Sequence, residues 1–244
     1  MDIKELTNKS NNLLVSRGNK AILLALRKAK ELGYDKVYLA DQGGWVTYGQ
    51  YAKKLKFQIK EVKTERGIIN FDNFGEKSVV LFNDMPSYAF MQNEVHIDKM
   101  KEKKILTIGD ITGSIGTRVC KADILVCSFG ENKMVNLGEG GVIASDLELD
   151  FESNFEGNKK ELQEKIDALP ERLEFLRKKR ENIIKNVDRK NIINYDKLGI
   201  NVLTLRRDTI TKYCEENKLE CKFCPMKIKI LEDAISIEVQ NISQ

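Results

Sequence analysis

The chain has 244 residues, 41% of them hydrophobic and 32% charged, so it carries enough apolar residues for a folded core. Its 41 basic and 37 acidic residues are well mixed, and a net charge of +4 does not favour a nucleic-acid or membrane partner. No apolar run approaches the roughly 20 residues that a membrane span needs. The N-terminus MDIKELTNKSNN also lacks the apolar segment of a secretory signal, so we expect a cytoplasmic protein.

The five cysteines do not form a strong metal-binding pattern. Without a secretory signal we expect free thiols. Cys221 and Cys224 form a CxxC motif with Cys214 upstream, but there is no second pair and no nearby histidine, so the sequence predicts no metal site. The only histidine, His96, lies at a predicted helix start, where a solvated or capping role is favoured over catalysis.

Residues 18–145 alternate between helical and strand patterns. Apolar residues at helical spacing predict a helix over 19–32, and weaker patterns predict helices at YGQYAKKL and at 93–103. Short strands are predicted at KVYLA (36–40) and FQIKEV (57–62). Continuous runs rich in Val, Ile and Leu are typical of strands buried on both faces of a parallel sheet: SVVLFN (78–83), KILTIGD (104–110) and DILVCSF (123–129). The sequence therefore predicts an α/β fold with a mostly parallel sheet sandwiched by helices.

The pattern changes near residue 150. Residues 157–187 are strongly helical, and Pro170 either starts a second helix or kinks one long helix. The segments INVLTL, RRDTITKYCEENK, LECKFCP and AISIEVQN then predict strand, helix, strand and strand. We predict a large α/β domain of residues 1–155, followed by a connecting helix and a small α+β domain in residues 156–244.

Ligands of open α/β sheets bind outside the carboxyl ends of the strands, so residues after each strand are the candidates for a site. SRGNKAI begins a helix with Gly18, Asn19 and Lys20, which either hold a phosphate through free N–H groups or form a plain helix cap. Trp45 follows two glycines and could stack on a flat ring, although packing in a core or an interface explains it as well.

Two further candidates follow buried strands. Asp110 ends TIGD and is either a cap or a charged partner for a ring nitrogen. Ser128 and Lys133 lie in SFGENK, where Lys133 is either a surface lysine in a glycine-rich turn or an amine for Schiff-base chemistry. That chemistry needs the neutral amine, which a desolvated, cation-rich pocket favours. Together with the helix start and the tryptophan, these residues describe a pocket for a phosphorylated aromatic aldehyde.

The motifs resemble those of fold-type I pyridoxal-phosphate enzymes, and among them the DegT/DnrJ/StrS sugar aminotransferases. The family's pattern of Ser-Phe, three residues, Lys and then Gly-Glu-Gly-Gly is similar to Ser128, Phe129, Lys133 and residues 138–141. Its Glu-Asp-Ala-Ala motif is similar to GDIT at Asp110, and its Ser-Gly-Thr-x-Ala motif is similar to RGNKA. The likeness covers residues 12–145, with a weaker likeness in the helix that follows and in AISIEVQN.

The resemblance implies an aminotransferase that uses pyridoxal 5'-phosphate. Lys133 would form the Schiff base, Asp110 would pair with the pyridine nitrogen, and Trp45 would stack on the ring. The phosphate would contact Ser128 and the helix start at Gly18, Asn19 and Lys20. Members of this fold type are usually dimers, so a homodimer is expected. The expected substrates are a small amino donor and a keto acceptor, either a sugar or another small keto compound.

The chain also departs from the family. Gly113 stands where the family has His or Gln, and Asn19 where it has Thr. By this resemblance we expect a shortened member without the family's N-terminal arm, in which the charged residues 146–165 stand in place of a loop that in relatives reaches into the partner subunit's active site. These departures leave an alternative open: a homologue that binds the cofactor but has reduced catalysis, with a regulatory or partner-subunit role. A lyase or a sulfur-handling enzyme that uses Cys221 or Cys224 is a third possibility.

Overall fold

A computed structural model describes residues 1–72 and 74–243. Its helices are α1 (Ile3–Thr7), α2 (Gly18–Glu31), α3 (Val46–Lys54), α4 (Ile97–Glu102), α5 (Lys159–Asp167), α6 (Leu169–Asn186) and α7 (Asp208–Glu216). Its strands are β1 (Asn11–Val15), β2 (Lys36–Ala40), β3 (Gln58–Val62), β4 (Ser78–Asn83), β5 (Ile105–Asp110), β6 (Ile124–Ser128), β7 (Gly141–Ser145), β8 (Val202–Leu205), β9 (Cys221–Phe223) and β10 (Ala234–Ile237).

Strands β1 to β7 form one sheet in the order β1-β7-β6-β5-β4-β2-β3. Neighbours among β2 to β6 pair in parallel, whereas β7 is antiparallel to both β1 and β6. The central strands are buried along almost their whole length, as their continuous apolar sequences predict. These observations confirm the predicted α/β class and the mostly parallel sheet.

The two faces of this sheet carry different cores. Along β6, Ile124 and Val126 pack with α2 and α3 on one face, whereas Leu125 and Cys127 pack with α5 and α6 on the other. The alternation follows from the two-residue period of a strand. Helices on both faces therefore make the three layers that the sequence predicts.

A second sheet follows α6, with the order β8-β10-β9 and antiparallel pairing throughout. The core on the α6 side of the large sheet continues into this small sheet through Val202, Ile235 and Ile237. One hydrophobic core is therefore shared by the two sheets. The proposed domain boundary between residues 155 and 156 stays a prediction.

Several predicted elements differ from the observed ones. The helix predicted over 93–103 is wrong in extent, since α4 covers only Ile97–Glu102. Strands β1 and β7 were missed, and β3 is a largely exposed edge strand. Pro170 lies in the first turn of α6, where a missing N–H costs nothing, so it starts a second helix. In the part of the chain that the structure describes, no helix combines the length and apolarity required to cross a membrane.

Candidate active site

A cavity of 870 Å³ lies at the carboxyl ends of the parallel strands. One wall comes from the ends of β4, β5 and β6 and from the start of α2, and the facing wall comes from residues 222–241 of the small sheet. The predicted site residues Gly18, Asn19, Trp45, Asp110, Ser128 and Lys133 all line this cavity. Lys20 does not, and its backbone N–H donates to the Arg17 carbonyl at 2.9 Å instead.

The start of α2 sits directly against the end of β6. A Cβ atom on Gly18 would lie 2.4 Å from the Cβ of Ser128, so only glycine permits this approach. Arg17, at the N-cap, makes no side-chain hydrogen bond to the helix. Backbone N–H groups in the first turn of α2 therefore have no side-chain cap and lie beside the Ser128 hydroxyl. This arrangement suits the binding of an anion.

Asn19 holds Trp45 at the rim of the cavity. The Asn19 Oδ1 atom accepts hydrogen bonds from Trp45 Nε1 at 3.0 Å and from Thr47 Oγ1 at 3.2 Å. Trp45 is 40% exposed. The ring is therefore oriented by α2 yet keeps apolar surface that a flat ligand could cover.

Asp110 ends β5 as a buried carboxylate. Its Oδ2 atom accepts from the Tyr48 hydroxyl at 2.6 Å, and its Oδ1 atom accepts from the Thr112 backbone N–H at 3.0 Å and hydroxyl at 2.6 Å. The Thr112 hydroxyl in turn accepts from the Ser128 N–H at 3.0 Å. Burial, followed by the Asp110 charge, raises the pKa of Tyr48 well above its usual range, so Tyr48 remains a hydrogen-bond donor.

Lys133 follows β6 and is half-buried. Its Nζ atom lies 5.5 Å from the centroid of the Trp45 ring and 5.9 Å from that of Tyr88. Burial lowers the pKa of Lys133, while the Asp110 carboxylate opposes that shift. A larger fraction of this amine is therefore neutral at a given pH than for an exposed lysine.

Gly113 leaves little room for a side chain. A Cβ atom there would lie 3.0 Å from the Met85 carbonyl oxygen and 3.2 Å from Cδ1 of Tyr88. The turn that carries Met85 and Tyr88 therefore packs closely on this position.

The facing wall holds a buried polar network that the sequence did not single out. The Lys229 Nζ atom donates to both carboxylate oxygens of Glu238, at 2.8 and 3.0 Å. Ser236 and Gln240 also donate to this carboxylate, at 2.5 and 3.1 Å. The only signal in the sequence is a polar residue at the end of an apolar strand, which does not reveal its partners.

The charged segment that follows β7 folds back over the rim of the cavity. The Asn154 Oδ1 atom accepts from the Ser16 N–H at 3.1 Å, and its Nδ2 atom donates to the Ser16 hydroxyl at 3.0 Å. Phe155 packs over Gly140, where a Cβ atom would lie 2.6 Å from the phenyl ring. This charged segment thus contacts the rim of the chain's own cavity.

The remaining candidates lie elsewhere. Within residues 1–72 and 74–243, no group of three or more His, Cys, Asp or Glu side chains could hold a metal ion. Cys224 packs in a different hydrophobic cluster from Cys214 and Cys221, and the Cys221 neighbour lowers the pKa of Cys214. His96 is exposed and precedes α4 without a capping bond from its side chain.

No protein-family model and no curated protein matches the chain. Solved structures are similar to it, however. An Escherichia coli GDP-4-keto-6-deoxy-D-mannose-3-dehydratase with bound hydrated pyridoxal phosphate superimposes with a TM-score of 0.73 at 12% identity, over 96% of this chain and 84% of that chain. A DegT/DnrJ/EryC1/StrS aminotransferase from Brucella abortus gives a TM-score of 0.69 at 10% identity, over 99% and 84%.

The S. venezuelae protein DesV gives a TM-score of 0.70 at 12% identity, over 99% of this chain and 83% of that chain. Similarity at this level of identity concerns the path of the backbone. The chain therefore has the α/β fold of the DegT-type aminotransferases, over most of the length of each protein compared.

Proposed function

We propose that the protein is a pyridoxal-phosphate-dependent aminotransferase that acts through Lys133, with a sugar or another small keto compound as the amino acceptor. One observation carries the proposal: a half-buried lysine of lowered pKa lies in the same cavity as a buried carboxylate and an uncapped helix start. The shared fold supports it, because the E. coli structure of that fold contains pyridoxal phosphate.

The cavity residues fit this cofactor in charge and in shape. The uncapped start of α2 and the Ser128 hydroxyl would receive the phosphate. Trp45 offers exposed aromatic surface, and Asp110 offers its Oδ2 atom, which accepts only from Tyr48 and so has a lone pair left for a protonated ring nitrogen. Lys133 would supply the amine that bonds the aldehyde.

The residues of the chain divide the chemical work. When bound, pyridoxal phosphate supplies an electron sink for the negative charge that develops on the substrate carbon. Asp110 would keep the ring nitrogen protonated, and Tyr48 and Thr112 hold Asp110 in place. Lys133, whose pKa is lowered, would supply a neutral amine and would accept and return the proton of the substrate carbon at its Nζ atom.

The test is an absorbance spectrum of the protein with pyridoxal phosphate, followed by borohydride reduction and peptide mapping. We expect a visible band and a reduced adduct on Lys133, both lost in Lys133→Ala. Lys53→Ala is the matched control, because Lys53 is an exposed lysine of α3 outside the cavity and should leave both signals unchanged. A band that survives in Lys133→Ala contradicts the assignment.

A second candidate is a homologue that binds the cofactor but has reduced catalysis and acts as a regulator or a partner subunit. Gly113 favours it, since glycine has no side chain for the contact that the resembled family makes at this position, and the position is tightly packed. Conversion to the amine form with a panel of amino donors distinguishes the two: an enzyme is converted, whereas a binding protein keeps its first spectrum.

The homodimer, the cytoplasmic location and the identities of donor and acceptor stay predictions. A sulfur-handling reaction has less support, because Cys221 and Cys224 are not among the residues that line the cavity.

A further inference from the structure

The turn that follows β4 has an unusual backbone. Ser87 and Tyr88 are consecutive residues with φ of 56° and 58°, the left-handed region that residues with a Cβ atom rarely adopt. Such conformations persist only where the surrounding structure imposes them, and they concentrate at functional sites. Contacts from elsewhere in the fold must therefore hold the Ser87–Tyr88 turn in this conformation.

The segment before β8 holds the turn in place. The Tyr88 carbonyl accepts hydrogen bonds from the backbone N–H groups of Ile200 at 2.7 Å and Asn201 at 2.8 Å. The Asn201 side chain donates to the Ser87 carbonyl at 2.7 Å, and its Oδ1 atom accepts from the Gln240 N–H at 3.0 Å. Since Asn201 is fully buried, the small sheet fixes the position of Tyr88.

The turn presents the Tyr88 ring to the cavity. The ring packs against Gly113, which leaves room for it, and its centroid lies 5.9 Å from the Lys133 Nζ atom. Trp45 is at a similar distance of 5.5 Å from the same atom. Two aromatic rings thus lie close to the Lys133 amine, the one that the proposed function assigns to the aldehyde.

We propose that Tyr88 contacts the cofactor: its ring packs on the pyridine ring of the ligand at Lys133 and forms, with Trp45, the aromatic surface of the site. This inference rests on the proposed function. Its physical basis is that a flat ring bonded to Lys133 has two aromatic side chains within reach, and one of them is held by a strained backbone that the small sheet imposes. The strain then serves to place an aromatic ring where position 113 has no side chain.

The experiment measures ligand binding by the change in Trp45 fluorescence, because Trp45 is the only tryptophan in the chain and lies beside Lys133. The probe is pyridoxine 5'-phosphate, which lacks the aldehyde and so measures ring packing without the covalent bond. From the strength of aromatic contacts we expect Tyr88→Leu to weaken binding about 5- to 10-fold, and Tyr88→Phe to stay within about 2-fold of the wild type. Tyr34→Leu is the matched control, since Tyr34 is half-buried and outside the cavity.

A second variant guards against misfolding of Tyr88→Leu. Gly113→Ala would place a Cβ atom 3.2 Å from Cδ1 of Tyr88, so the ring must shift by a few tenths of an ångström, and binding should weaken by less than in Tyr88→Leu while Tyr88 itself is unchanged. If the wild type binds the probe and both variants bind it equally well, the inference is overturned and the proposed function stands. If the wild type binds neither this probe nor pyridoxal phosphate, the proposed function fails and takes the inference with it.

Discussion

Of the lysines that line the cavity, Lys133 and Lys229 lie on opposite walls, and their surroundings differ. Lys229, on the small-sheet wall, is buried and donates to both oxygens of Glu238 and to Ser236. Lys133, on the large-sheet wall, has two aromatic rings near its amine and forms no ion pair in the described part of the chain. Burial lowers its pKa and nothing at bonding distance restores it.

The difference distinguishes a lysine whose surroundings suit a structural role from one whose surroundings suit the proposed chemistry. A carboxylate at hydrogen-bond distance stabilises the ammonium form of a lysine, which has no lone pair and cannot act as a nucleophile. A lysine without that partner gives up charge stabilisation and gains a neutral, nucleophilic fraction. The two walls therefore make opposite predictions about activity and stability.

The largest expected effect is on turnover. Lys133→Ala should lower transamination by about 1,000-fold or more, because the variant loses both the nucleophile and the group that moves the proton. Lys229→Met should cost far less, since this amine is already bonded to Glu238. Steady-state rates of the two purified variants make the measurement, and equal losses would remove the distinction between the walls.

The next largest effect is on stability, where we expect the Lys229 variant to lose more than the Lys133 variant. Lys229→Met removes the closer of the two cations beside the buried Glu238 and leaves only Lys222, at 3.8 Å, which should lower the free energy of unfolding by about 3 kcal/mol. Lys133→Met should change it by about 1 kcal/mol or less. Urea denaturation of both variants makes the comparison, and a Lys133 variant as unstable as the Lys229 variant would contradict it.

A smaller effect is expected at Asn201, whose side chain bridges the Ser87 carbonyl on one wall of the cavity and the Gln240 N–H on the other. Asn201→Ala removes the partners of the Ser87 carbonyl and the Gln240 N–H, both of them buried. The free energy of unfolding should fall by about 2 kcal/mol. Thermal melting of Asn201→Ala beside Asn182→Ala, an exposed site on α6, gives the difference. Identical melting temperatures would mean that the bridge contributes nothing.

The smallest effect is a shift in pH dependence. Because Lys133 has a lowered pKa, its modification by cyanate should reach half its maximal rate below pH 10.5, the ordinary value for lysine. Asp110→Asn should lower this midpoint further, since the Asp110 carboxylate raises the pKa of Lys133. The contribution of Lys133 to the free energy of unfolding should also rise with pH between its lowered pKa and 10.5, because the unfolded chain binds more protons in that range. Mass spectrometry of the Lys133 peptide measures the midpoint, and a midpoint unchanged in Asp110→Asn would contradict the expected coupling.

The parts of the molecule that the sequence predicted are those with local signals. The apolar runs of β4, β5 and β6 locate buried strands to within a residue or two, because burial on both faces demands continuous hydrophobicity. Strands β1 and β7 escaped detection, since NNLLV begins with two polar residues and GVIAS contains small ones. Once the strands are placed, the residues at their carboxyl ends converge by topology, and these are the candidate site residues that line the cavity.

The unpredicted contacts join residues far apart in the chain. Tyr48 bonds Asp110 across 62 positions, and Asn154 bonds Ser16 across 138. No spacing rule relates such pairs, because their distance is set by how helices pack on the sheet. The Ser87–Tyr88 turn was also missed, since neither residue type favours a positive φ.

The hydrophobic core that runs from the large sheet through α6 into the small sheet has a consequence for how the molecule opens. Because Val202 and Ile235 share that core with the large sheet, swinging the small sheet away would expose apolar side chains on both sides. Heating should therefore produce a single cooperative calorimetric peak. Ligands would then enter and leave through the mouth of the cavity, without separation of the two sheets.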